Sequence, residues 1–427
     1  MAITYDLTDD IFQGISPRVA LVYLDAGNSP SNIDNLSTYA TNRVMIREML
    51  MRPVLGLQYL AGTIKSIGYD VVILDNKVLH FNEKTMGSFV EDNGIILVGF
   101  YASISDANHV SHFIGNLKKF TNVPVVVGGP GYLEFEMLLN AGADVVCKGE
   151  GEKIIVDVLD NIDNIGSDLS NICGIAFKHN GEIKQTKNQE LLKLDDIPFP
   201  LRDNYISVDS YYNYLIPGYR HPFITMITNR GCPHNCIYCD SPNIAQNAVR
   251  RRNPDNVLEE IDYAVKNWDI RYIDFLDDIF GVGYNWVEEF CTKLAERNYD
   301  IKYKALVNPS TFGRNQDKAF AIMANSGCNT LGIGMQSADE DILKFMHRQH
   351  DSPERLISAV QSAKSHGIMT FVNFIVGFPN EPADIDEKIN RLLDRARPTL
   401  MDCYGLWYIK GTELYELRKQ NKIVDAE

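Results

Sequence analysis

Short apolar segments recur along the chain, and this repeat restricts the fold more than any other feature. Five of them occupy the first third of the chain, with helix-like stretches between them, at 18–25, 70–75, 94–100, 123–128 and 143–147. Short runs that are apolar throughout are typical of strands buried on both faces, as in parallel sheets. Their alternation with helices predicts an α/β fold, with an N-terminal doubly wound, Rossmann-like parallel sheet.

A second series of strands follows, at 223–228, 272–276, 302–306, 330–334, 370–375 and 401–406. Six strands that alternate with helices predict a partial (βα)6 TIM-type barrel, in which chemistry is expected at the carboxyl ends of the strands. Between the two series, the sequence favours a small hairpin around His179-Asn180 and a proline-containing linker. The expected domains are therefore a Rossmann domain at 1–160, a hairpin and linker at 161–219, and a barrel at 220–427.

Composition narrows the classes of function. The chain has 427 residues, 45% of them hydrophobic, which is long enough for two or three domains with buried cores. Its net charge of -15 argues against nucleic-acid and membrane-surface partners, because both require clustered Lys and Arg. There is no uninterrupted apolar run of membrane-spanning length, and five of the eight cysteines are scattered without paired spacing. We therefore expect a cytoplasmic protein in a reducing compartment.

Three groups of basic side chains are interpreted as solvent-exposed. The run Arg250–Arg252 is typical of solvated charge, with contact to a phosphate or a substrate carboxylate as the alternative. The segments 345–348 and 391–395 have helical apolar spacing with charged outer faces. Their His and Arg side chains are therefore predicted to face water.

The loop 230–240 carries Cys232, Cys236 and Cys239, at a spacing that lets one short segment surround a single metal centre. A structural zinc site normally has four Cys or His ligands, and a fourth cysteine is missing nearby. Three thiolates instead suit a [4Fe-4S] cluster with one iron left open to a small chelating molecule. The alternative is a zinc knuckle with His234 as fourth ligand, although His234 lies between the first two cysteines and would be strained to reach the same ion.

The Cys-x3-Cys-x2-Cys spacing, with Tyr238 before the third cysteine, resembles the signature of the radical S-adenosylmethionine (radical SAM) superfamily. This resemblance implies that Cys232, Cys236 and Cys239 are the cluster ligands and the catalytic centre. It also implies that the open iron binds SAM, that the reduced cluster cleaves SAM to a 5'-deoxyadenosyl radical, and that Tyr238 lies near the adenine. The implied partners are a small-molecule substrate and an electron donor such as flavodoxin or ferredoxin.

The same resemblance implies SAM contacts for residues near the carboxyl ends of later strands: Asp277, Asp278, Asn308, Gln336, Ser337 and Gly377. The acids would bind the methionine amino group, the amide and hydroxyl groups the carboxylate or ribose, and the glycine backbone the adenine. The acids keep only the acidic character of the family's Gly-Gly-Glu-type motif, and a buried acid that caps the next helix is the competing explanation.

The N-terminal third is similar to the cobalamin-binding domain that precedes the radical SAM domain in one group of the superfamily. The matching segments are the helix that starts at Pro53 and the turns 128–130 and 149–152. The implied cofactor is cobalamin, lined by Ser103, Ser105, Gly128 and Gly129. The Asp-x-His-x-x-Gly sequence that supplies a histidine to cobalt in the wider cobalamin family is absent, and no histidine precedes His80. A domain that binds nothing is therefore the alternative.

The resulting expectation is a radical SAM enzyme, cobalamin-dependent, that functionalises an unactivated carbon, with methyl transfer as the leading reaction. Rearrangement or cyclisation, and radical chemistry without functional cobalamin, are the enzymatic alternatives. A non-catalytic metal-binding module is the third alternative.

Overall fold

The computed structural model describes residues 16–24, 49–203 and 205–423. These residues belong to two compact units, which divide between Tyr211 and Tyr212. Each unit has its own main sheet, so the two are described separately. None of the described helices has the length and apolar composition that a membrane span requires.

The first unit alternates strands and helices, as the sequence predicts. Its strands are β1 (Arg18–Tyr23), β2 (Asp70–Asp75), β3 (Ile95–Tyr101), β4 (Val125–Gly128), β5 (Val145–Cys147), β6 (Ile175–His179) and β7 (Glu182–Gln185). Its main helices are α1 (Leu55–Ser66), α2 (Glu83–Asp92), α3 (Ala107–Leu117), α4 (Phe135–Ala141) and α5 (Gly151–Asp160). The seven strands form one sheet, in the order β2-β1-β3-β4-β5-β6-β7.

Both faces of this sheet are covered by helices, which confirms the doubly wound prediction. One core contains Val22 of β1 with Phe89 and Phe113 from α2 and α3. The other contains Leu21 of β1 with Ile64 of α1 and Ile154 of α5. Neighbouring residues of one strand thus enter opposite cores, because side chains alternate across a sheet. This explains why the strands read as continuous apolar runs rather than as alternating ones.

Strands β1 to β5 pair in parallel. The predicted hairpin is confirmed, and its two strands extend the same sheet, with β6 antiparallel to β5 and β7 antiparallel to β6. The first strand ends at Tyr23, two residues before the predicted end, and Asp25 lies outside the described residues.

The second unit contains a six-stranded sheet with the strands β8 (Phe223–Met226), β9 (Tyr272–Phe275), β10 (Lys302–Val307), β11 (Cys328–Gln336), β12 (Met369–Val376) and β13 (Leu400–Gly405). The main helices are α6 (Pro254–Trp268), α7 (Tyr284–Glu296), α8 (Gln316–Asn325), α9 (Glu340–Phe345), α10 (Pro353–Ser365), α11 (Ile385–Ala396) and α12 (Glu413–Lys419). All strand pairs are parallel and follow chain order from β8 to β13. All six predicted strands of this unit are confirmed.

Aromatic packing holds the helices onto this sheet. The rings of Phe275 in β9 and Tyr303 in β10 meet edge to face at 5.5 Å, and Phe275 also contacts Phe290 of α7. Since side chains alternate along a strand, the residues that flank Tyr303 point to the other side of the sheet. On that side Leu306 and then Asn308 reach a cavity at the carboxyl end of β10.

The last strand, β13, differs from the others because all six of its residues are exposed. It lies at one end of the sheet and pairs with β12 only. Its carboxyl end leads into the segment 404–409, which lines the same cavity as Asn308.

Candidate functional site

The cysteine loop is closed by a short antiparallel strand pair. Asn229–Arg230, just after β8, pairs with Arg250–Arg251. At the start of the loop, Gly231 has a φ of 90°, and a Cβ atom there would lie 2.0 Å from the carbonyl oxygen of Ala248. Only glycine combines this left-handed backbone with so close an approach. The two ends of the loop are therefore held together by backbone contacts.

Two acids after β9 bind the base of the loop. The carboxylate of Asp277 accepts hydrogen bonds from the backbone N–H groups of Thr228 and Asn229 at 2.7 and 2.9 Å, and from the Thr228 hydroxyl at 2.8 Å. Asp278 accepts from Gly231 N at 3.2 Å and from Ser241 Oγ at 2.8 Å. Burial raises the pKa of Asp277 to about 7, although these hydrogen bonds oppose the shift.

The three cysteines line a cavity of about 390 Å³ at the carboxyl ends of the strands. Burial raises the pKa of the Cys232 thiol to about 11 and that of Cys239 to about 12. A buried thiolate therefore needs a nearby positive charge. The other lining residues are Tyr238, Ser241, Asp278, Ile279, Leu306, Asn308, Gly334, Gln336, Arg348, Asn373, Ile375, Tyr404, Gly405, Leu406, Trp407 and Ile409.

The geometry of the thiols tests what they could hold. Among the described residues, no group of three His, Cys, Asp or Glu side chains converges in the way that a single metal ion requires. A tetrahedral zinc ion needs its ligands around one centre, whereas the cysteines of an iron-sulfur cluster each bind a different iron. His234 stacks on His350 instead, with ring centroids 3.9 Å apart and planes 8° from parallel. Three thiols that line the same cavity suit a cubane, in which each thiolate binds a different iron.

Two of the predicted SAM contacts meet beside a glycine. A Cβ atom at Gly334 would lie 2.7 Å from Gln336 Nε2 and 3.5 Å from Asn308 Oδ1. Gln336 has a φ of 73°, which turns its side chain back over β11. Asn308 and Gln336 thus present two amides to the cavity that the cysteines line.

Three other predicted contacts do not line this cavity. Both carboxylate oxygens of Asp277 accept hydrogen bonds from Thr228 and Asn229, so Asp277 is a buried structural acid, but it does not cap the next helix, which the competing explanation proposed. Ser337 is buried, and its hydroxyl accepts a hydrogen bond from Asp339 N at 3.2 Å, before α9. Gly377 has a φ of 95° and donates its N–H to Glu381 at 2.6 Å. Its neighbour Phe378 packs edge to face against Tyr238, at 5.7 Å between ring centroids.

Arg348 lines the cavity, and the interpretation of this side chain as solvated was wrong. Helix α9 ends at Phe345, His347 takes a left-handed φ of 62°, and Arg348 N bonds to Leu343 O at 2.7 Å. This is the Schellman pattern of a helix C-terminus, and it turns the chain inward. The guanidinium is only 4% exposed. This turn is hard to predict from the sequence, because the left-handed position carries histidine instead of glycine.

The interpretation of the 250–252 run as solvated is also wrong at one position. The Arg252 side chain is 3% exposed and forms an ion pair with the fully buried Glu260 of α6. Arg251, in contrast, is exposed. The basic groups Arg391 and Arg395 are exposed, at 61% and 60% of the side chain, as predicted.

In the first unit, the predicted cobalamin residues lie on two adjacent loops at the carboxyl edge of the sheet. The Ser103 and Ser105 hydroxyls are 2.9 Å apart, and Ser103 donates to Asp106 at 2.5 Å. The loop after β4 packs against them, with Ala102 N bonded to Gly128 O at 2.8 Å. A Cβ at Gly129 would lie 2.6 Å from Ala102 O, so only glycine permits this contact.

This edge is where a doubly wound sheet is expected to bind a ligand. The direction of strand order reverses between β1 and β3, and such switch points carry ligands beyond the carboxyl ends of the strands. Tyr23 and Tyr101 end these two strands in register, with ring centroids 5.9 Å apart. The position of Ser103 and Gly129 next to the switch point fits a large bound cofactor.

Two family models match the two units. The model described as the radical SAM superfamily matches residues 226–393, and that described as a B12 binding domain matches residues 52–159. An uncharacterized methyltransferase of Pyrococcus horikoshii is 29% identical over 384 residues, which cover 87% of this chain and 80% of the relative. The anaerobic magnesium-protoporphyrin IX monomethyl ester cyclase of Synechocystis is 22% identical, with 88% of this chain and 74% of the relative covered.

A solved structure has the same fold. The radical SAM methyltransferase TsrM of Kitasatospora setae, solved with tryptophan and a SAM analogue, superposes with a TM-score of 0.75 over 95% of this chain and 76% of TsrM, at 17% identity. The fold match extends over both units, and each family model covers the unit whose site residues are described above. The chain therefore combines a radical SAM domain with an N-terminal B12-binding domain, as an enzyme whose implied cofactors are a [4Fe-4S] cluster, SAM and cobalamin.

Proposed function

We propose that this enzyme transfers a methyl group to an unactivated carbon of a small-molecule substrate. The observation that carries the proposal is the presence of both domains on one chain, with three thiols at the cavity of the radical SAM unit. The methyltransferase names of the Pyrococcus relative and of TsrM support it.

In this proposal the chain supplies binding and orientation, while the bound cofactors supply the electron, the radical and the methyl group. Cys232, Cys236 and Cys239 hold the cluster. Asn308 and Gln336 bind polar groups of SAM, and Tyr238 packs near its adenine. Asp278 lines the cavity, where its charge suits the methionine amino group. Asp277 is given no direct role because both of its oxygens accept hydrogen bonds within the loop base, and Ser337 is given none because it is buried outside the cavity lining.

The substrate side of the cavity is assigned to the apolar residues from the last strands. These residues are Ile375 of β12, Tyr404 of β13, and Leu406 and Trp407 just after β13. An apolar wall excludes water from a reactive centre and positions a carbon group without a polar handle. In the first unit, Ser103, Ser105, Gly128 and Gly129 are proposed to border the cobalamin.

Two further parts of the proposal concern the cell. The cluster needs an external reductant, and an electron donor such as flavodoxin or ferredoxin is proposed. A reducing cytoplasm suits the protein, because all eight cysteines are free thiols and an open cluster is sensitive to oxidation.

Cyclisation is the second candidate reaction. It is favoured by the similarity to the Synechocystis cyclase, which extends over 88% of this chain. Both reactions would use the same radical SAM residues, and they differ in whether the substrate gains a methyl group.

The test is anaerobic turnover with SAM that carries a deuterated methyl group. Reconstituted protein is incubated with reductant, cobalamin and a panel of candidate substrates, and the products are analysed by mass spectrometry. Methyl transfer predicts a labelled methyl group in a product, whereas cyclisation predicts loss of hydrogen without label. A variant that lacks all three loop cysteines is the control. Absence of both methylation and 5'-deoxyadenosine across the panel would contradict radical SAM turnover.

A further inference from the structure

The guanidinium of Arg348 lies against one of the three loop thiols. Its Nη1 atom is 3.8 Å from the sulfur of Cys236, within hydrogen-bond distance for a sulfur acceptor. Cys236 is itself only 7% exposed. Among the loop cysteines, it is therefore Cys236 that receives a charged donor from outside the loop.

The rest of the guanidinium is held by a backbone carbonyl and by a buried carboxylate. Nη2 donates to the backbone oxygen of Gly334 in β11 at 2.5 Å and to Asp351 at 2.6 Å. The Asp351 side chain is fully buried and accepts a further hydrogen bond from Ser310 N at 3.1 Å. Because two of its contacts are anchored to the sheet and to a loop after β10, Nη1 is directed at the sulfur.

Burial strengthens the interaction between Arg348 and the sulfur of Cys236. A buried arginine needs partners for its donors, and Nε of Arg348 has none. The contact with the sulfur thus provides one of the few acceptors available to this group. In such a site, charges interact more strongly than they do in water.

The charge has a direct consequence for an iron-sulfur cluster. Reduction adds one negative charge, and a positive group or a hydrogen bond at a ligating sulfur stabilises the reduced state. Arg348 contacts the sulfur directly through Nη1, whereas Asp351 binds the other nitrogen, Nη2. The net effect of the pair is therefore positive at Cys236.

We propose that Arg348 is a positioning residue for the cluster, which fixes the sulfur of Cys236 and raises the reduction potential of the cluster. Asp351 has the opposite effect, because it orients the arginine and partly neutralises it. This inference rests on the proposed assignment of the three cysteines as cluster ligands.

The test is the midpoint potential of the reconstituted full-length protein, from redox titration monitored by electron paramagnetic resonance without SAM. Arg348→Met removes the donor and the charge, and its midpoint is expected to move to more negative values. We expect about a tenfold lower ratio of reduced to oxidised cluster at a fixed potential, which corresponds to a shift of ~59 mV for one electron. Iron and sulfide content are measured on every sample.

Asp351→Asn is measured in parallel, because it breaks the same ion pair but leaves the positive charge. Its midpoint is expected to move to more positive values. Damage to the fold would not produce shifts of opposite sign from the two halves of one pair. Arg252→Met, which breaks the equally buried pair with Glu260, is the matched control and should leave the midpoint unchanged.

Equal midpoints in wild type, Arg348→Met and Asp351→Asn would overturn the inference, and so would shifts in the same direction. If Arg348→Met fails to retain a cluster, the positive shift of Asp351→Asn decides the outcome alone. A wild-type protein that binds no [4Fe-4S] cluster would overturn the cysteine assignment and this inference with it, and iron analysis distinguishes that case.

Discussion

At the scale of single residues, the site depends on groups whose ordinary ionisation is changed by burial. The thiols of Cys232 and Cys239 and the carboxyl of Asp277 all have raised pKa values because the charged form of each is desolvated. The thiols face the cavity, whereas Asp277 lies beneath the loop. The two thiols are therefore available to a cofactor, whereas Asp277 stabilises the loop.

Removal of any one loop thiol should abolish cluster binding. For Cys239→Ala we expect the bound iron and sulfide to fall to a small fraction of the wild-type values, because a ligand is lost. Cys291→Ala is the control, since Cys291 is also buried but packs against Tyr303 within the core. Iron and sulfide analysis of anaerobic samples measures both. Normal cluster content in Cys239→Ala would contradict the assignment.

Asp277 should make the stability of the second unit depend on pH. The pKa of Asp277 is about 7 in the folded state, whereas its reference value is 3.8. Between these two pH values the folded state therefore binds more protons than the unfolded state. The free energy of unfolding should therefore fall as the pH rises from about 4 to about 7. Each unit by which folding raises the pKa of Asp277 corresponds to ~1.4 kcal/mol. Chemical denaturation at several pH values measures this.

Asp277→Asn is the matched variant for that measurement. An amide oxygen can accept the two N–H bonds from Thr228 and Asn229, and the amide nitrogen can donate to the Thr228 hydroxyl. The variant should fold and should lack this part of the pH dependence. An identical slope in both proteins would show that Asp277 does not titrate in the window.

At the scale of elements, the cysteine loop depends on how its two ends meet. Asn229–Arg230 and Arg250–Arg251 supply only a short ladder, and the two acids after β9 add the hydrogen bonds that a longer ladder would otherwise provide. The conformation of the loop therefore depends on a few close contacts. Gly231 is the tightest of them.

Gly231→Ala should destabilise the loop more than backbone strain alone explains. The left-handed φ costs ~1–2 kcal/mol for a residue with a Cβ, and the added clash with the Ala248 carbonyl must displace backbone. Gly367→Ala is the control, because Gly367 has a φ of 75° with open space around it in the same unit. We expect lower iron content and a larger loss of unfolding free energy in Gly231→Ala than in Gly367→Ala. Equal losses would contradict the role of the close contact.

The elements themselves were largely predictable, because buried parallel strands are apolar on both faces and stand out from their surroundings. Strand β2 has the predicted bounds. What could not be predicted was the direction of side chains beyond element ends. Arg348 depends on a left-handed turn at His347, and Ser337 depends on a bond to the start of α9. Such turns are set by tertiary contacts and have no regular period in the sequence.

At the scale of the whole molecule, the chain separates its chemistry into two units, each with its own sheet and its own carboxyl-end site. The cysteines, Asn308, Gln336 and Arg348 all belong to the second unit, while the Ser103 and Gly129 loops belong to the first. The residues named for each site belong to one unit. Loss of one cofactor should therefore leave the binding of the other intact.

The two cofactors should be separable by mutation. Gly129→Val places a branched side chain against Ala102 and Tyr101, so cobalamin affinity is expected to fall at least tenfold while iron content stays normal. A variant that lacks the three loop cysteines should show the reverse. Absorption spectra of bound cobalamin and iron analysis measure the two quantities. Loss of both cofactors in either variant would contradict independent sites.

The raised thiol pKa values have a consequence for the protein before it receives iron. At neutral pH the sulfurs of Cys232 and Cys239 keep their protons, and a protonated sulfur is a poor nucleophile. Before iron is bound, these two thiols should react slowly with alkylating reagents and peroxide. The cysteines of a newly made chain are therefore protected against oxidation. Iron must then displace those protons as it enters, and assembly of the holoenzyme should be faster in mildly alkaline buffer.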